Sequence, residues 1–294
     1  MVTTSGESTA NVRDRRSLRS LFTYEAPDGF EIRDVFLEPP HLMVVNSDPT
    51  DEQGDRPVVI DLESHAERDL SAVTPRIWSG GWSLRAGRVT YGARDSRDRY
   101  CLAETTLDST EGAMVECVPP RHGFHQAGQS PYGIGYARFD DRRPASCGTA
   151  RTQRKAEAVT DVPGPTACKV WDVLPLKGDG AVWGEVPKPR QIEVSEIKYR
   201  LPGGAVESLG YGTTGSLTWC GDSAWFLRQM EGRLMRWDPE RGLEEALRLP
   251  DTDRVAVLSA PVCSGDFIAV FESRERKRAG TDEVVHTTRL HPTP

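Results

Sequence analysis

The sequence predicts an all-β protein, a six-bladed β-propeller built from four-stranded antiparallel blades. Three observations predict it: short apolar runs recur at a nearly fixed period, each run follows a turn rich in Gly or Pro, and helical periodicity is nearly absent. A period of about 40 to 50 residues is typical of propellers, in which each repeat forms one small sheet.

Six apolar runs mark the repeat, and each is the expected second strand of a blade. The runs begin at His41, Arg88, Gly133, Gly180, Ser223 and Asp266, so successive starts lie 47, 45, 47, 43 and 43 residues apart. The turns before them, such as PP, RAG, CGD and CSG, give the backbone the freedom that a tight reversal needs. Six runs therefore predict six blades.

The other strands of each unit recur in a constant order. One run precedes each of these expected second strands, as in EIRDVFLE and KVWDVLPL. Two runs follow it, as in PVVIDL and GAMVECV. Several of these runs alternate apolar and polar residues, as half-buried strands do. The stretch GLEEALRLP could form two helical turns, but it follows a tight turn at the outer-strand position and is interpreted as a strand.

The two ends of the chain differ in character from the repeats. Residues 1–16 are polar and are interpreted as a disordered tail, which leaves residues 17–294 as a single propeller domain. The last unit has no chain left for its outermost strand, and an open sheet edge favours aggregation. The run Ser17 to Tyr24 belongs to no unit, so we expect it to complete the last blade and close the ring.

The segments SGDFIAVFESR and CGDSAWFLR, the latter followed by GRLMRWDPERG, resemble the repeats of six-bladed propellers of the TolB-like group. In that group a Gly/Asp turn precedes an apolar strand, and a Trp-Asp turn precedes the outer strand. The resemblance covers most of the chain loosely, and unit three departs from it at RTQRK and SPYGIG. It implies the fold and leaves the activity open, because propellers host enzymes, scaffolds and sensors.

Charge and composition exclude several classes of partner. The 294 residues carry 37 Lys and Arg against 44 Asp and Glu, a net charge of −7, so we expect no nucleic acid partner. No apolar run approaches the roughly 18 residues of a membrane span, so we expect no membrane insertion. The sequence lacks a dinucleotide fingerprint, a phosphate loop and an EF-hand loop, so we expect no cofactor. We also expect a monomer.

The six cysteines leave the redox compartment open. They stand at positions 101, 117, 147, 168, 220 and 263, without the close pairing that zinc ribbons show. Cys101 and Cys117 flank a predicted hairpin turn, so they are either a cross-strand disulfide or two small buried thiols. Paired cysteines would imply an extracytoplasmic protein whose export signal has been trimmed, and reduced cysteines would imply a cytoplasmic one.

The expected binding site is one mouth of the central channel, where the loops between consecutive blades crowd together. Candidate ligand-binding residues in or beside these loops are Phe30, Arg33, Trp78, Trp82, His122, Phe124, Trp171 and Tyr211. Flat amphipathic side chains around a funnel suit a peptide, a protein or a glycan, whereas the alternative is packing between blades. Trp78 and Trp82 favour binding, because the Ser-Gly-Gly between them is flexible.

Four residues near the same mouth are candidate acids or bases: His122, His125, Asp34 and Asp172. Histidine suits proton transfer near neutral pH, and paired carboxylates suit glycoside hydrolysis. The two histidines in HGFH lack the helical setting of a zinc motif, so no metal site is predicted. Three functions stay open: a binding module without enzymatic activity, an enzyme (a hydrolase or lyase acting on a glycan, ester or lactone), or a purely structural partner in a larger assembly.

Overall fold

The structure is a computed structural model of the 294-residue chain. It describes residues 2–5, 8–14, 17, 19–50, 54–78, 80–125, 127–140, 148–154, 157–188, 191–228, 230, 232–248, 256–264, 267–278 and 281–293. The chain divides into two compact units, Met1–Pro120 and Arg121–Pro294. Within the described ranges, no helix has the length and apolar character needed to cross a membrane.

The first unit contains three antiparallel sheets. An N-terminal sheet consists of β1 (Val2–Ser5), β2 (Thr9–Arg13) and β3 (Ser20–Glu25), in that order. The first four-stranded sheet consists of β4 (Glu31–Glu38), β5 (His41–Ser47), β6 (Arg56–Asp61) and β7 (Glu67–Asp69). The second consists of β8 (Ser83–Arg85), β9 (Arg88–Arg94), β10 (Tyr100–Thr106) and β11 (Ala113–Cys117).

The second unit contains the other four sheets. In the third sheet, β12 (His122–Phe124) and β13 (Gly128–Ser130) both pair with β14 (Gly133–Asp140), which β15 (Thr149–Gln153) and β16 (Thr160–Asp161) follow. The fourth sheet consists of β17 (Val170–Pro175), β18 (Ala181–Glu185), β19 (Val194–Arg200) and β20 (Val206–Thr213). The fifth consists of β21 (Thr218–Cys220), β22 (Ser223–Arg228), β23 (Arg233–Asp238) and β24 (Gly242–Arg248). In the sixth, β25 (Ala256–Leu258) and β26 (Val262–Ser264) pair with β27 (Phe267–Arg278), which also pairs with β28 (Thr281–Pro292).

These six sheets confirm the predicted six-bladed β-propeller. Second strands begin at the predicted residues His41, Arg88, Gly133 and Ser223, and one residue late at Ala181. The sixth predicted start, Asp266, lies outside the described residues, and its strand begins at Phe267. The stretch predicted as an outer strand rather than a helix is β24.

The second strands are buried on both faces. Alternate side chains of a strand point to opposite faces of its sheet, so one strand can serve two cores. In β5, Leu42 and Val44 belong to one apolar cluster, whereas Met43 and Val45 belong to another. Each such sheet therefore needs an apolar partner on both of its sides.

The N-terminal residues differ from the prediction. Val2–Ser5 and Thr9–Arg13 form strands where a disordered tail was expected. β3 pairs with β2, with Tyr24 opposite Ala10, and this pairing replaces the predicted use of Ser17 to Tyr24 as the outermost strand of the last blade. The physical reason is that polar and apolar residues alternate in TANVR, residues 9–13.

That alternation gives the N-terminal sheet an apolar face. Ala10 and Val12 are buried, and with Tyr24 they pack on the first four-stranded sheet at Leu42 and Val44. The N-terminal sheet thus covers one side of the first blade.

The described cysteines are oxidised. Cys101 and Cys117 lie opposite each other on β10 and β11 and form a disulfide, which confirms the first of the two alternatives. Cys220 of β21 and Cys263 of β26 form a second disulfide, which joins the fifth and sixth sheets. Cys168 is also disulfide-bonded, and none of the described cysteines is a free thiol. Residue 147 lies outside the described part of the chain.

A charge placed in the N-terminal sheet tests its packing. Val12→Asp should lower the free energy of unfolding by about 3 kcal/mol, because it buries an unpaired carboxylate. Asn11→Asp, one residue away on the partly exposed face, keeps the oxygen that accepts the Thr23 hydroxyl and should cost about 0.5 kcal/mol or less. Equal melting temperatures for both variants and the wild type would mean that residues 2–25 do not pack on the first blade.

The disulfide of the second blade has a measurable effect on stability. The double variant Cys101→Ser, Cys117→Ser should lose about 3 kcal/mol in guanidinium unfolding, because the bond closes a loop with a sequence separation of 16. A thiol assay on the denatured, unreduced wild type should find no free thiol at these two positions. Full reactivity of both thiols without a reductant would contradict the pairing.

Candidate functional site

One end of each four-stranded sheet carries the loops that lead from sheet to sheet. Because the strands are antiparallel, the start of the first strand, the end of the second and the start of the third lie at the same end. In the first unit this end carries Asp55 and Trp82, and in the second unit it carries His122 and Asp172. Most of the predicted site residues therefore lie at the loop ends of the blades.

Asp55 is the centre of a buried polar cluster in the first unit. Arg33 Nη1 lies 2.9 Å from Asp55 Oδ1, and the indole N–H of Trp82 and the amide of Gly80 donate to Oδ2 at 2.6 and 3.0 Å. The side chain of Asp55 is 1% exposed and that of Arg33 is 37% exposed. The structure thus brings the predicted Arg33 and Trp82 together around a carboxylate that sequence analysis missed.

The two predicted tryptophans have different environments. Trp82 is 3% exposed and stacks on Tyr91 with ring centroids 5.8 Å apart, so its position is that of a core residue. Trp78 is half-buried, and the guanidinium of Arg94 lies 4.4 Å from the centroid of its ring. Trp78 is therefore the one of the pair that reaches the surface.

Trp78 lines a depression of about 560 Å³ in the first unit, here called the Trp78 depression. Its lining residues are Pro75, Arg76, Trp78, Arg94, Asp95, Ser96, Asp98 and Met114. Arg94 donates to the carbonyl of Asp98 at 2.7 Å, which fixes the guanidinium over the indole. Hydrogen bonds from the backbone of Arg99 lower the pKa of Asp95, so this carboxylate is ionised near neutral pH.

Two further predicted residues of the first unit lie near the start of β4. Burial raises the pKa of Asp34, and the neighbouring charge of Asp55 raises it further. Phe30 lies just before β4, with the guanidinium of Arg56 4.5 Å from its ring centroid. Arg33, between them in sequence, points to Asp55.

In the second unit, the two predicted histidines have different partners. His122 Nε2 lies 3.5 Å from a carboxylate oxygen of Asp140, at the end of the neighbouring strand β14. His125 stacks on the predicted Trp171, with centroids 4.0 Å apart and planes inclined by 18°, and Phe139 lies 4.8 Å from the same imidazole. The structure therefore places an aspartate beside one imidazole and an aromatic stack around the other.

Phe124 and Tyr211 lie in other surroundings. Phe124 packs edge-to-face on Tyr136 at 5.3 Å. Tyr211 lies within β20 rather than in a loop, opposite Glu196, and is 59% exposed on the outer strand of the fourth blade. Tyr211 thus presents an isolated aromatic surface.

Asp172 has a strongly raised pKa among the described acids of the second unit. It is 6% exposed, and burial raises its pKa to about 7, although hydrogen bonds from the amides of Gly215 and Leu217 lower it. The Gly215 amide lies 2.9 Å from Asp172 Oδ2. A titratable group with such a shift is a common feature of functional sites.

Within the described residues, one group of three potential metal ligands lies close together: Asp95, Cys101 and Cys117. Its two sulfurs are joined in a disulfide, so they are not thiolate ligands. None of His122, His125 and Asp172 belongs to a group of this kind.

Comparison with known proteins supports the fold and does not assign an activity. No protein-family model and no curated protein matches the chain. Among solved structures, a prolyl endopeptidase has a TM-score of 0.61 at 14% identity, and the match covers 98% of this chain and 46% of that one. Virginiamycin B lyase of Staphylococcus aureus has a TM-score of 0.56 at 11% identity, covering 99% and 93% of the two chains. An oligogalacturonate lyase in complex with manganese has a TM-score of 0.57 at 12% identity, covering 96% and 83%.

These matches show the propeller fold alone, because identities this low carry no information about the site. The chain spans less than half of the length of the prolyl endopeptidase. The neighbours are both peptidases and lyases, so the fold does not choose between activities.

Removing the Asp55 carboxylate tests the cluster of the first unit. Asp55→Ala should lower the free energy of unfolding by about 2–4 kcal/mol, because the indole N–H of the buried Trp82 loses its acceptor and Arg33 loses its counter-charge. Asp28→Ala, in an exposed turn of the same unit, should change it by about 0.5 kcal/mol or less. Urea unfolding gives both values, and equal losses would show that Asp55 does not hold the cluster.

Proposed function

We propose that the protein is a binding module without enzymatic activity, which holds a peptide, protein or glycan in the Trp78 depression. The observation that carries the proposal is the contrast between the two predicted tryptophans. Trp82 is buried in the core, whereas the half-buried Trp78 exposes part of its ring beside an open space of about 560 Å³. Aromatic and arginine side chains in such pockets contribute a large part of binding energy in known interfaces.

The chemistry of the depression suits an amphipathic ligand. Trp78, Pro75 and Met114 offer apolar surface, and Arg76, Asp95 and Asp98 offer charges of both signs. The side chain of Arg76 is exposed and forms no ion pair with another described residue. We therefore expect the ligand to place an apolar or flat group near Trp78 and an anionic group near Arg76.

The contacts of the candidate acids and bases favour binding over catalysis. His122 lies against Asp140 with 7% of its side chain exposed, and His125 lies between Trp171 and Phe139. An enzyme acting on a glycan, ester or lactone would need a ring nitrogen of one of these imidazoles to face the substrate, and neither imidazole lines the Trp78 depression. The enzyme is therefore the second proposal, and it predicts chemical conversion of the bound ligand.

The disulfides indicate the compartment in which the protein meets its ligand. Disulfides persist in oxidising compartments and are rare where glutathione keeps thiols reduced. Two complete disulfides lie within the described residues, and Cys168 is bonded as well. We therefore propose that the protein acts outside the cytoplasm, on a ligand of that compartment.

Binding arrays test the proposed site. Purified protein is applied to one array of peptides and one of glycans, and the affinity of each positive is measured by calorimetry. Trp78→Ala should weaken binding by about 10- to 100-fold, and Arg76→Glu, which alters only an exposed charge, should weaken it by about tenfold. Tyr211→Ala removes an exposed aromatic surface outside the depression and should bind as the wild type does.

Two outcomes would contradict this proposal. Wild-type affinity in both Trp78→Ala and Arg76→Glu would place the ligand elsewhere. Recovery of a chemically altered ligand, with the conversion lost in His125→Ala, would favour the enzyme.

A further inference from the structure

A second cavity of the first unit, of about 520 Å³, lies between the first and second four-stranded sheets and is here called the hairpin cavity. His41 at the start of β5, Asp61 at the end of β6 and Gly87 in the turn before β9 are among its lining residues. This end of the strands is opposite to the loops that lead from sheet to sheet. The hairpin cavity therefore shares no lining residue with the Trp78 depression, and its volume is that of a small-molecule site.

Contacts between the two sheets hold the walls of the hairpin cavity in place. The carboxylate of Glu38, at the end of β4, accepts hydrogen bonds from the amides of Ala86 and Gly87 at 2.5 and 2.9 Å. Arg68 of β7 donates to the carbonyl of Leu107 at 2.8 Å, and the Leu107 amide donates to the Gly87 carbonyl at 2.9 Å. Because the walls are fixed in advance, a ligand binds without paying for their ordering.

Part of the lining is apolar and comes from both sheets. Val59 and Leu107 are buried, so they form the deeper part of the cavity. Ala66 and Ala86 are exposed at its edge. Apolar surface of this kind stabilises the apolar part of a ligand, because both surfaces leave water on binding.

The charged part of the lining is mainly acidic. Three carboxylates, those of Asp61, Glu67 and Asp108, line the cavity together with the basic side chains of Arg68 and His41. With histidine counted as neutral, the lining charge is 1 − 3 = −2. Within the described ranges, no ion pair joins Arg68 or His41 to these carboxylates. The cavity thus has an excess of negative charge that a ligand can balance.

Two of the carboxylates are held by their own turns. Asp61 Oδ1 accepts hydrogen bonds from the amides of Glu63 and Ser64 at 3.0 and 2.7 Å. Asp108 Oδ1 accepts the hydroxyl of Thr106 at 2.6 Å. Both carboxylates are therefore oriented before a ligand binds, and each keeps a second oxygen for it.

The spacing of these groups suits an organic cation better than a metal ion. A metal ion such as Ca²⁺ needs several oxygen ligands around one point, at about 2.3–2.6 Å. In the part of the chain that the structure describes, the acids and the histidine of the hairpin cavity form no group of three close enough for this. An organic cation carries its charge and an apolar body on one molecule, so it can use both parts of the lining.

We propose that the hairpin cavity binds a small organic cation, with its ammonium group at Asp61 and Asp108 and its apolar body against Val59 and Leu107. Hydrogen bonds from an ammonium group to a carboxylate are stronger than those between neutral groups. A free alkylamine and the side chain of a lysine share this chemistry. The proposal concerns a second site and does not rest on the Trp78 depression.

Titrations followed by NMR at constant ionic strength test the proposal. The probes are hexylamine, its neutral and anionic counterparts hexanol and hexanoate, and Nα-acetyl-lysine methylamide. We expect hexylamine to saturate one site with a Kd in about the millimolar range, as befits so small a ligand, and hexanol and hexanoate to bind at least about fivefold more weakly. Binding of the lysine derivative as well would indicate a peptide as the source of the cation, and its absence a free amine.

Charge variants locate the ammonium group. The double variant Asp61→Asn, Asp108→Asn keeps both Oδ1 acceptors and removes two charges, so it should weaken hexylamine binding by about fivefold or more. Asp28→Asn removes one charge from an exposed turn of the same unit and should bind hexylamine as the wild type does. Trp78→Ala should also keep the wild-type affinity, since Trp78 lines the other depression.

A bulky side chain tests the apolar part of the cavity. Ala66→Trp places an indole at the exposed edge of the space and should abolish hexylamine binding. Ala205→Trp makes the same change at an exposed position of the second unit and should leave the affinity unchanged.

Three results would overturn the proposal. The first is that neither hexylamine nor the lysine derivative binds. The second is that hexanol or hexanoate binds as tightly as hexylamine. The third is an unchanged hexylamine affinity in the double variant Asp61→Asn, Asp108→Asn.

Discussion

The structure depends on one constraint: a sheet of short strands has two apolar faces, and both must be covered. β22 shows it in the fifth blade, where Phe226 belongs to one core cluster and Trp225 to another. β5 divides its side chains in the same way in the first blade. The sheets that contain β5 and β22 are therefore walls shared by two cores. The N-terminal sheet meets the same need, because it covers the face of the first blade that Leu42 and Val44 present.

This arrangement also decides where chemistry can occur. The central residues of the strands are buried in the cores, so polar groups lie at the strand ends, where the loops meet. Asp55 holds together residues from two consecutive sheets there, because Arg33 belongs to β4 and Trp82 precedes β8. The side chain of a tryptophan in such a loop can either pack in the core or lie at the surface. Trp82 and Trp78 took these two roles although only three residues separate them.

The repeat was predictable from sequence because burial on both faces makes each second strand a nearly continuous apolar run. The N-terminal sheet was missed because TANVR has only two apolar residues in a polar stretch, and its partner surface lies more than 25 residues away at Leu42. Asp55 was missed for a related reason. Its sequence neighbourhood, DEQGDRP, is that of an ordinary polar turn, and its partners Arg33 and Trp82 are 22 and 27 residues distant. Contacts between blades leave no local pattern, whereas the interior of each blade does.

The bond between Cys220 of β21 and Cys263 of β26 links two positions that are 43 residues apart, in the fifth and sixth sheets. A protease that cut the chain once between these positions would not release a fragment. The piece from the cut to the C-terminus would stay covalently attached through sulfur, and both halves of the nicked molecule would migrate together until a reductant was added. The last blade is thus tethered to its neighbour by two independent routes, the backbone and the disulfide.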